Sequence, residues 1–430
     1  MGKYVHSAVD MNAPSDNSND IYVNKEDRSL LRDLAARVAE LAARPEEEEK
    51  KNLWYAHNNL DATRPLIFCD PENGWSEIIP DDLIVATSGL AKMWEMILRK
   101  EIFWGESMGD DRVVVPCFNV PYVATQTDWG MHETRIGGKN RGAYRWEAPL
   151  KDYSDIYKLK YPKIIIDHQK TRQMETLAQE IFDGLLHVRI KCAWWWSLGL
   201  TLSLVNLRGL EQILYDMYDN PDGLHQLMAF LRDGTLSLLA QLEEKNILSL
   251  NNDETYVGSG GFGWTRQLPS PESQPGYVKT IDMWGFAESQ ETGSVSPVMF
   301  EEFVFPYQEK ILKRFGLNCY GCCERLNERW GMICQIPRLR RVSISPWSDI
   351  ADMAEKIRDN YIFSLKPNPT FLAVEKMDED YVRKSLKEAL KKTKGCRVEI
   401  IMKDNNTLGG NPSNAVRWCR IAREEAERTS

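Results

Sequence analysis

A single (β/α)8 TIM barrel with an N-terminal helical extension is the fold class that the sequence predicts. Three observations point there. The 430-residue length suits one barrel plus an added segment. Beyond residue 110, short strand-like runs alternate with long amphipathic helical stretches. Eight such strand runs occur, and alternation of strand and helix implies parallel strands joined by right-handed crossovers that close into a ring.

The elements follow in order. Residues 1–20, rich in Asn, Ser, Asp and Pro and without periodicity, are expected to form a mobile tail. Residues 21–110 form the extension. Its first helix spans Glu26–Ala43, where Leu30, Leu31, Leu34, Val38, Leu41 and Ala42 recur at helical spacing. Its second opens at Pro45, with acidic residues behind the proline near the positive end of the helix dipole. The barrel is placed at residues 111–430. Its strands are read at Arg112–Asn119, His187–Trp194, Ile247–Asn252, Val278–Trp284, Leu317–Cys322, Arg340–Ser345, Tyr361–Lys366 and Val398–Lys403. Helical patterns fill the gaps at Leu210–Ala229, Leu231–Lys245, Met299–Phe315, Ile350–Asp359 and Glu379–Lys392. Residues 120–186 read as a long irregular stretch.

Composition excludes several classes. A 43% hydrophobic and 27% charged chain is ordinary for a globular protein. No apolar run reaches the ~18 residues of a membrane span, and no secretory leader opens the chain. A net charge of −9 speaks against a nucleic-acid partner. The nine cysteines are expected as reduced thiols, with the cytoplasm as default location.

In this architecture chemistry gathers at the C-terminal ends of the strands. Those ends carry Asn119; Trp194, Trp195 and Trp196; Asp253 and Glu254; Trp284 and Glu288; Cys322, Cys323 and Glu324; Trp347; Lys366; and Lys403 with Asp404. All six histidines lie at or before His225, which disfavours Ser-His and Cys-His catalysis and His-rich metal sites in the second half. A metal there would be held by sulfur and oxygen, which suits zinc better than magnesium. Adjacent side chains of a regular strand point to opposite faces, but Gly321 and the following loop relax that rule for Cys322 and Cys323. Three roles stay open: one or both as zinc ligands, one lining the barrel while the other packs outside, or a metal-free nucleophile activated by Lys366 or Lys403. The tryptophan triplet reads either as packing or as an aromatic wall for a flat or cationic substrate. Residues Val257–Arg266, VGSGGFGWTR, read as a flexible active-site loop or lid and not as a phosphate loop.

The run IDMWG, then SPVMFEEFVFPYQEKIL and LNCYGCCE, resembles the uroporphyrinogen-decarboxylase superfamily. The region matching that decarboxylase's arginine-rich stretch reads VPCFNVPYVATQTDWG and holds no arginine. The chain is instead similar to the corrinoid-dependent methyltransferase branch. Coenzyme M methyltransferases of that branch carry H-x-C at the fifth strand and a later Cys at the eighth; here Tyr320-Gly321-Cys322 and Lys403-Asp404 stand there. Ser289–Glu291, Tyr320–Glu324, Arg340–Trp347, Lys366–Pro369 and Lys403-Asp404 look like the methyltransferase I component of bacterial O-demethylases.

That resemblance implies cleavage of a methyl ether, aromatic in the first instance, with zinc activation. The methyl passes to the Co(I) corrinoid (cobalamin) of a partner protein. Zinc would stabilise the developing leaving-group anion. The expected ligand pool is Cys322, Cys323 and Glu324, with Glu254 (and Glu288) in reserve. Lys403, Asp404 and Glu288 are the catalytic candidates; Trp194, Trp195, Trp284, Asn119, Trp347 and Lys366 are the substrate-binding ones. The partners are then a corrinoid protein and a small-molecule methyl donor, with a homodimer left open. Alternatives are a methylated amine or quaternary ammonium donor, a decarboxylase of the same superfamily, and a non-catalytic barrel scaffold.

Overall fold

Helices form where periodicity and end signals coincide. Asn24 caps the helix Lys25–Ala42 by accepting from Asp27 N at 2.7 Å, and its periodic face buries Leu31, Ala35, Val38 and Leu41. Pro45 opens the helix Pro45–Asn58 with Glu46, Glu47 and Glu48 in its first turn. The computed structural model describes residues 21–137 and 144–429, so the tail expected at 1–20 lies outside the described residues.

Twelve strands occur among the described residues: β1 Leu66–Cys69, β2 Cys117–Val120, β3 Ala124–Gln126, β4 Thr134–Gly137, β5 Tyr144–Glu147, β6 Ile164–Ile166, β7 His187–Ile190, β8 Trp284–Ala287, β9 Leu317–Tyr320, β10 Leu339–Ile344, β11 Ile362–Leu365 and β12 Arg397–Met402. Six of them make one parallel sheet in the order β1-β12-β11-β10-β9-β8. β2 and β7 form a separate parallel pair, while β3–β6 and β4–β5 are antiparallel. The fold is therefore α/β with a parallel sheet. Closure into a ring, expected from eight repeating units, is not made by strand pairing among the described residues.

The second half follows the sequence closely. β9 to β12 fall within about a residue of their expected starts, and the helix Glu379–Lys392 matches the expected bounds. Elsewhere the sequence pattern misled. β1 was read as part of a helical extension, yet it pairs with β12 in register Leu66↔Glu399 to Cys69↔Met402, so the sheet reaches back across the boundary placed at 110. Its four residues are all buried, and such a run is too short to show a period. The expected strand Ile247–Asn252 does not pair as a strand. Instead the Asn251 side chain does the bonding, donating to Trp284 O at 3.0 Å and accepting from Trp284 N at 2.9 Å.

Residues 257–264, expected as part of a flexible active-site loop or lid, form a loop but not a cover. They lie buried against the sheet. A Cβ on Gly261, at φ +84°, would stand 2.8 Å from Glu399 Oε2 and 2.9 Å from Arg341 Nη2, so a side chain there has no room. On its other side the loop is clamped by Asn58, which donates to Phe262 O at 2.9 Å and Trp264 O at 2.8 Å. Beneath it, Glu399 receives Arg341 at 3.0 Å and His57 at 3.3 Å, all fully buried. The glycines let backbone occupy space that side chains fill in most parallel-sheet interiors.

Candidate active site

The loops after β8, β9 and β12 converge. β9 ends at Tyr320 and the chain turns at Gly321, φ +92°, where a Cβ would stand 2.7 Å from Leu326 Cδ1. That turn breaks the strand's alternation. Cys322 is left buried and Cys323 exposed, with their Sγ atoms 3.5 Å apart. After β12 comes Lys403, 2% exposed, then Asp404 in the left-handed region at φ +62°. An aspartate tolerates that conformation better than most residues, and such outliers concentrate at functional sites.

A chain of polar contacts joins these ends. Lys403 Nζ donates to Ser259 Oγ at 3.4 Å, and Ser259 donates to Cys322 Sγ at 3.2 Å. Cys323 Sγ lies 3.6 Å from Asp404 Oδ2, and Lys403 Nζ lies 3.7 Å from Asp404 Oδ1 and 3.9 Å from Glu72 Oε1. The Lys403 ammonium also sits over the Trp196 ring, 5.9 Å from its centroid. Burial would lower the Lys403 value, but Tyr256, Cys322, Asp404 and Glu72 together hold it well above the ordinary lysine range. A hydrogen bond from Cys323 keeps the Cys322 thiol below its usual value against burial, with Lys403 adding to the effect. Cys323, donating to Cys322, is pushed up.

Two carboxylates close the floor. Glu288 accepts from Ser197 Oγ at 3.0 Å and Gln290 N at 2.8 Å. Burial, then the charges of Glu291 and Glu324, push it well above the usual carboxylate range. Glu324 accepts from Ser289 N at 2.8 Å and Cys322 N at 3.0 Å, tying the β8 loop to the β9 loop.

Several expected site residues stand elsewhere. Glu254 is ion-paired with Arg189 and accepts from Asn119 Nδ2 at 3.4 Å, in a cluster that also holds Lys191 against Asp253 at 2.6 Å. Asn119 on β2 and Glu254, just after residues 247–252, are thus brought to each other, and Glu254 is engaged by the guanidinium of Arg189 on β7. Trp194 donates to Ile247 O at 3.1 Å and stacks on Tyr122; Trp195 packs edge-on against Phe315. Trp284 is buried, donating to Gly263 O at 3.0 Å. Trp347 is 64% exposed on the rim. Lys366 is buried behind the cluster, donating to Ser364 Oγ at 2.7 Å, and burial brings its value down to about 7. The site tryptophan is Trp196, packed edge-on against Phe286. Ser259 lies in the stretch expected as an active-site loop or lid, but nothing in the sequence singles out its lone hydroxyl within the glycine run.

The expected zinc set does not assemble. Both Glu324 oxygens accept backbone N–H groups, Glu254 is paired away, and Glu288 accepts from Ser197 Oγ and Gln290 N. The two thiols and Asp404 remain near one another, but among the described residues no three His, Cys, Asp or Glu side chains form a group that would hold a metal ion. Among the described residues, no helix is long and apolar enough to cross a membrane.

No protein family and no curated protein matches the chain by sequence. Among solved structures it is similar to a methyltransferase from Methanosarcina mazei, at 12% identity, a TM-score of 0.50, and coverage of 87% of this chain and 98% of that one. At that identity the likeness is one of fold.

Proposed function

We propose that the protein is a methyltransferase that removes the methyl group of a methyl ether, aromatic in the first instance, and passes it to the Co(I) corrinoid of a partner protein. The observation that carries this reading is the buried Lys403–Ser259–Cys322 chain at the strand ends, with Asp404 and Cys323 at its open side. Two further things support it: the resemblance at Tyr320–Glu324 and Lys403-Asp404, and a fold like that of a methyltransferase. Closure of the sheet into a ring, with β2, β7 and residues 247–252 between β1 and β8, belongs to the same reading.

An ether is a poor methyl donor because its oxygen leaves as an anion. The reduced corrinoid supplies the attacking electron pair. The C–O pair stays on the oxygen, and the methyl carbon bonds to cobalt. This chain's task is to bind that oxygen and meet its charge. Lys403 Nζ does so as a buried ammonium that keeps its proton, its value being held well above the ordinary lysine range, and meets the departing oxygen's charge electrostatically. Asp404, 3.7 Å away at the exposed edge, helps to keep Lys403 charged. Burial and the neighbouring carboxylates raise the Glu288 value, which disfavours a repelling charge beneath the site.

The test is methyl transfer from 2-methoxyphenol to a reduced corrinoid protein, followed by the cobalt absorption spectrum. Lys403→Met is expected to lower the rate by about 10²-fold or more, the scale of one lost electrostatic stabiliser. No methylation of cobalt from any methoxyarene would overturn the proposal.

A further inference from the structure

We propose that the point now held by Ser259 Oγ is the subsite for the donor's oxygen, and that the Val257–Gly261 stretch occupies it as an internal surrogate until a phenolic or ether oxygen displaces it. The inference rests on the methyl-transfer reading and adds where the oxygen sits and what it competes with.

Ser259 is 2% exposed, and its oxygen lies between the ammonium of Lys403 and the sulfur of Cys322. It accepts from one and donates to the other, which a phenol oxygen in the same place would also do. A second buried hydroxyl belongs to the same neighbourhood. The Tyr256 hydroxyl interacts electrostatically with Lys403, is buried, and has no hydrogen-bond partner among the described residues. A buried hydroxyl left without a partner is costly, and an incoming oxygen would satisfy it. Trp196 and Phe286 add an aromatic side suited to a ring. Displacement needs only a local shift: Ser259 is flanked by Gly258, Gly260 and Gly261, so turning its hydroxymethyl out moves no large side chain while Val257 and the Asn58 clamp on Phe262 and Trp264 stay in place.

Competition predicts a direction opposite to that of a catalytic or positioning serine. Phenol would be titrated calorimetrically into the full chain, its Ser259→Ala form and its Lys403→Met form, with hydrogen exchange followed over residues 256–264. Ser259→Ala is expected to bind phenol about two- to tenfold more tightly, the worth of one buried hydrogen bond. Lys403→Met is expected to lose binding, and phenol should lower exchange protection of the stretch in the natural chain. Equal or weaker binding by Ser259→Ala overturns the subsite. Should that variant fail to fold, unchanged protection in the natural chain under saturating phenol overturns it equally. Binding with the expected Ser259 effect but no methyl transfer would leave the oxygen subsite standing and remove the methyl-transfer reading. Methyl transfer with no Ser259 effect would do the reverse.

Discussion

The Lys403 ammonium lies 5.9 Å from the centroid of the Trp196 ring, so the aromatic face at the site already carries a cation. A second positive charge there would meet repulsion in a buried setting. Quaternary ammonium donors are therefore disfavoured. Tetramethylammonium is expected to leave the tryptophan fluorescence of the natural protein unchanged and to quench it in Lys403→Met, where the ring face is free. Equal quenching in both proteins would show that Lys403 does not select donors by charge.

Gly263 separates packing from conformational effects. A Cβ there would stand 1.8 Å from Asn251 O, a backbone atom that cannot yield, whereas at Gly395, φ +89°, nothing lies within 4 Å. Gly263→Ala should cost on the order of 3 kcal/mol or more, and Gly395→Ala about 1 kcal/mol from backbone strain alone. Urea unfolding of the two variants checks the difference. Similar losses would mean that the loop shifts to make room.

Burial lowers the Lys366 value to about 7 from 10.5, with Glu399 raising it and Lys403 lowering it further. The neutral amine is favoured in the folded chain. Between pH ~7 and 10.5 the unfolded chain binds more protons, so this contribution to stability rises with pH across that window and is lost on going down to pH 7. Lys366→Met removes it. Natural and variant unfolding free energies measured from pH 7 to 10 should differ by an amount that changes with pH in that direction; parallel curves would contradict the assignment.

The Arg341–Glu399 pair, 3.0 Å apart and fully buried, is expected to be costly to break from one side. Arg341→Met leaves the Glu399 carboxylate with His57 and Ser364 but without its guanidinium, and should cost about 3–5 kcal/mol. Arg341→Met combined with Glu399→Leu should recover part of that loss in denaturant unfolding. A double variant weaker than the single one would show that shape, not charge, governs this position.

The helices and the later strands were legible from the sequence because local rules decide them. Asn24, Pro45 and the periodic faces behind them mark helix ends without help from distant residues. The convergence of Cys322, Cys323, Glu324, Glu288, Lys403 and Asp404 was also legible, since parallel strands put their C-terminal ends on one side. Tertiary structure alone decided the rest. It sent Glu254 and Asn119 to Arg189, chose Trp196 over Trp194 and Trp195, and paired β1 with β12 across more than three hundred residues. It also laid Ser259 between Lys403 and Cys322. The physical reason is common to all four. Ion pairing and interior packing depend on which groups meet after the chain has closed distant contacts, and local periodicity carries no record of those meetings.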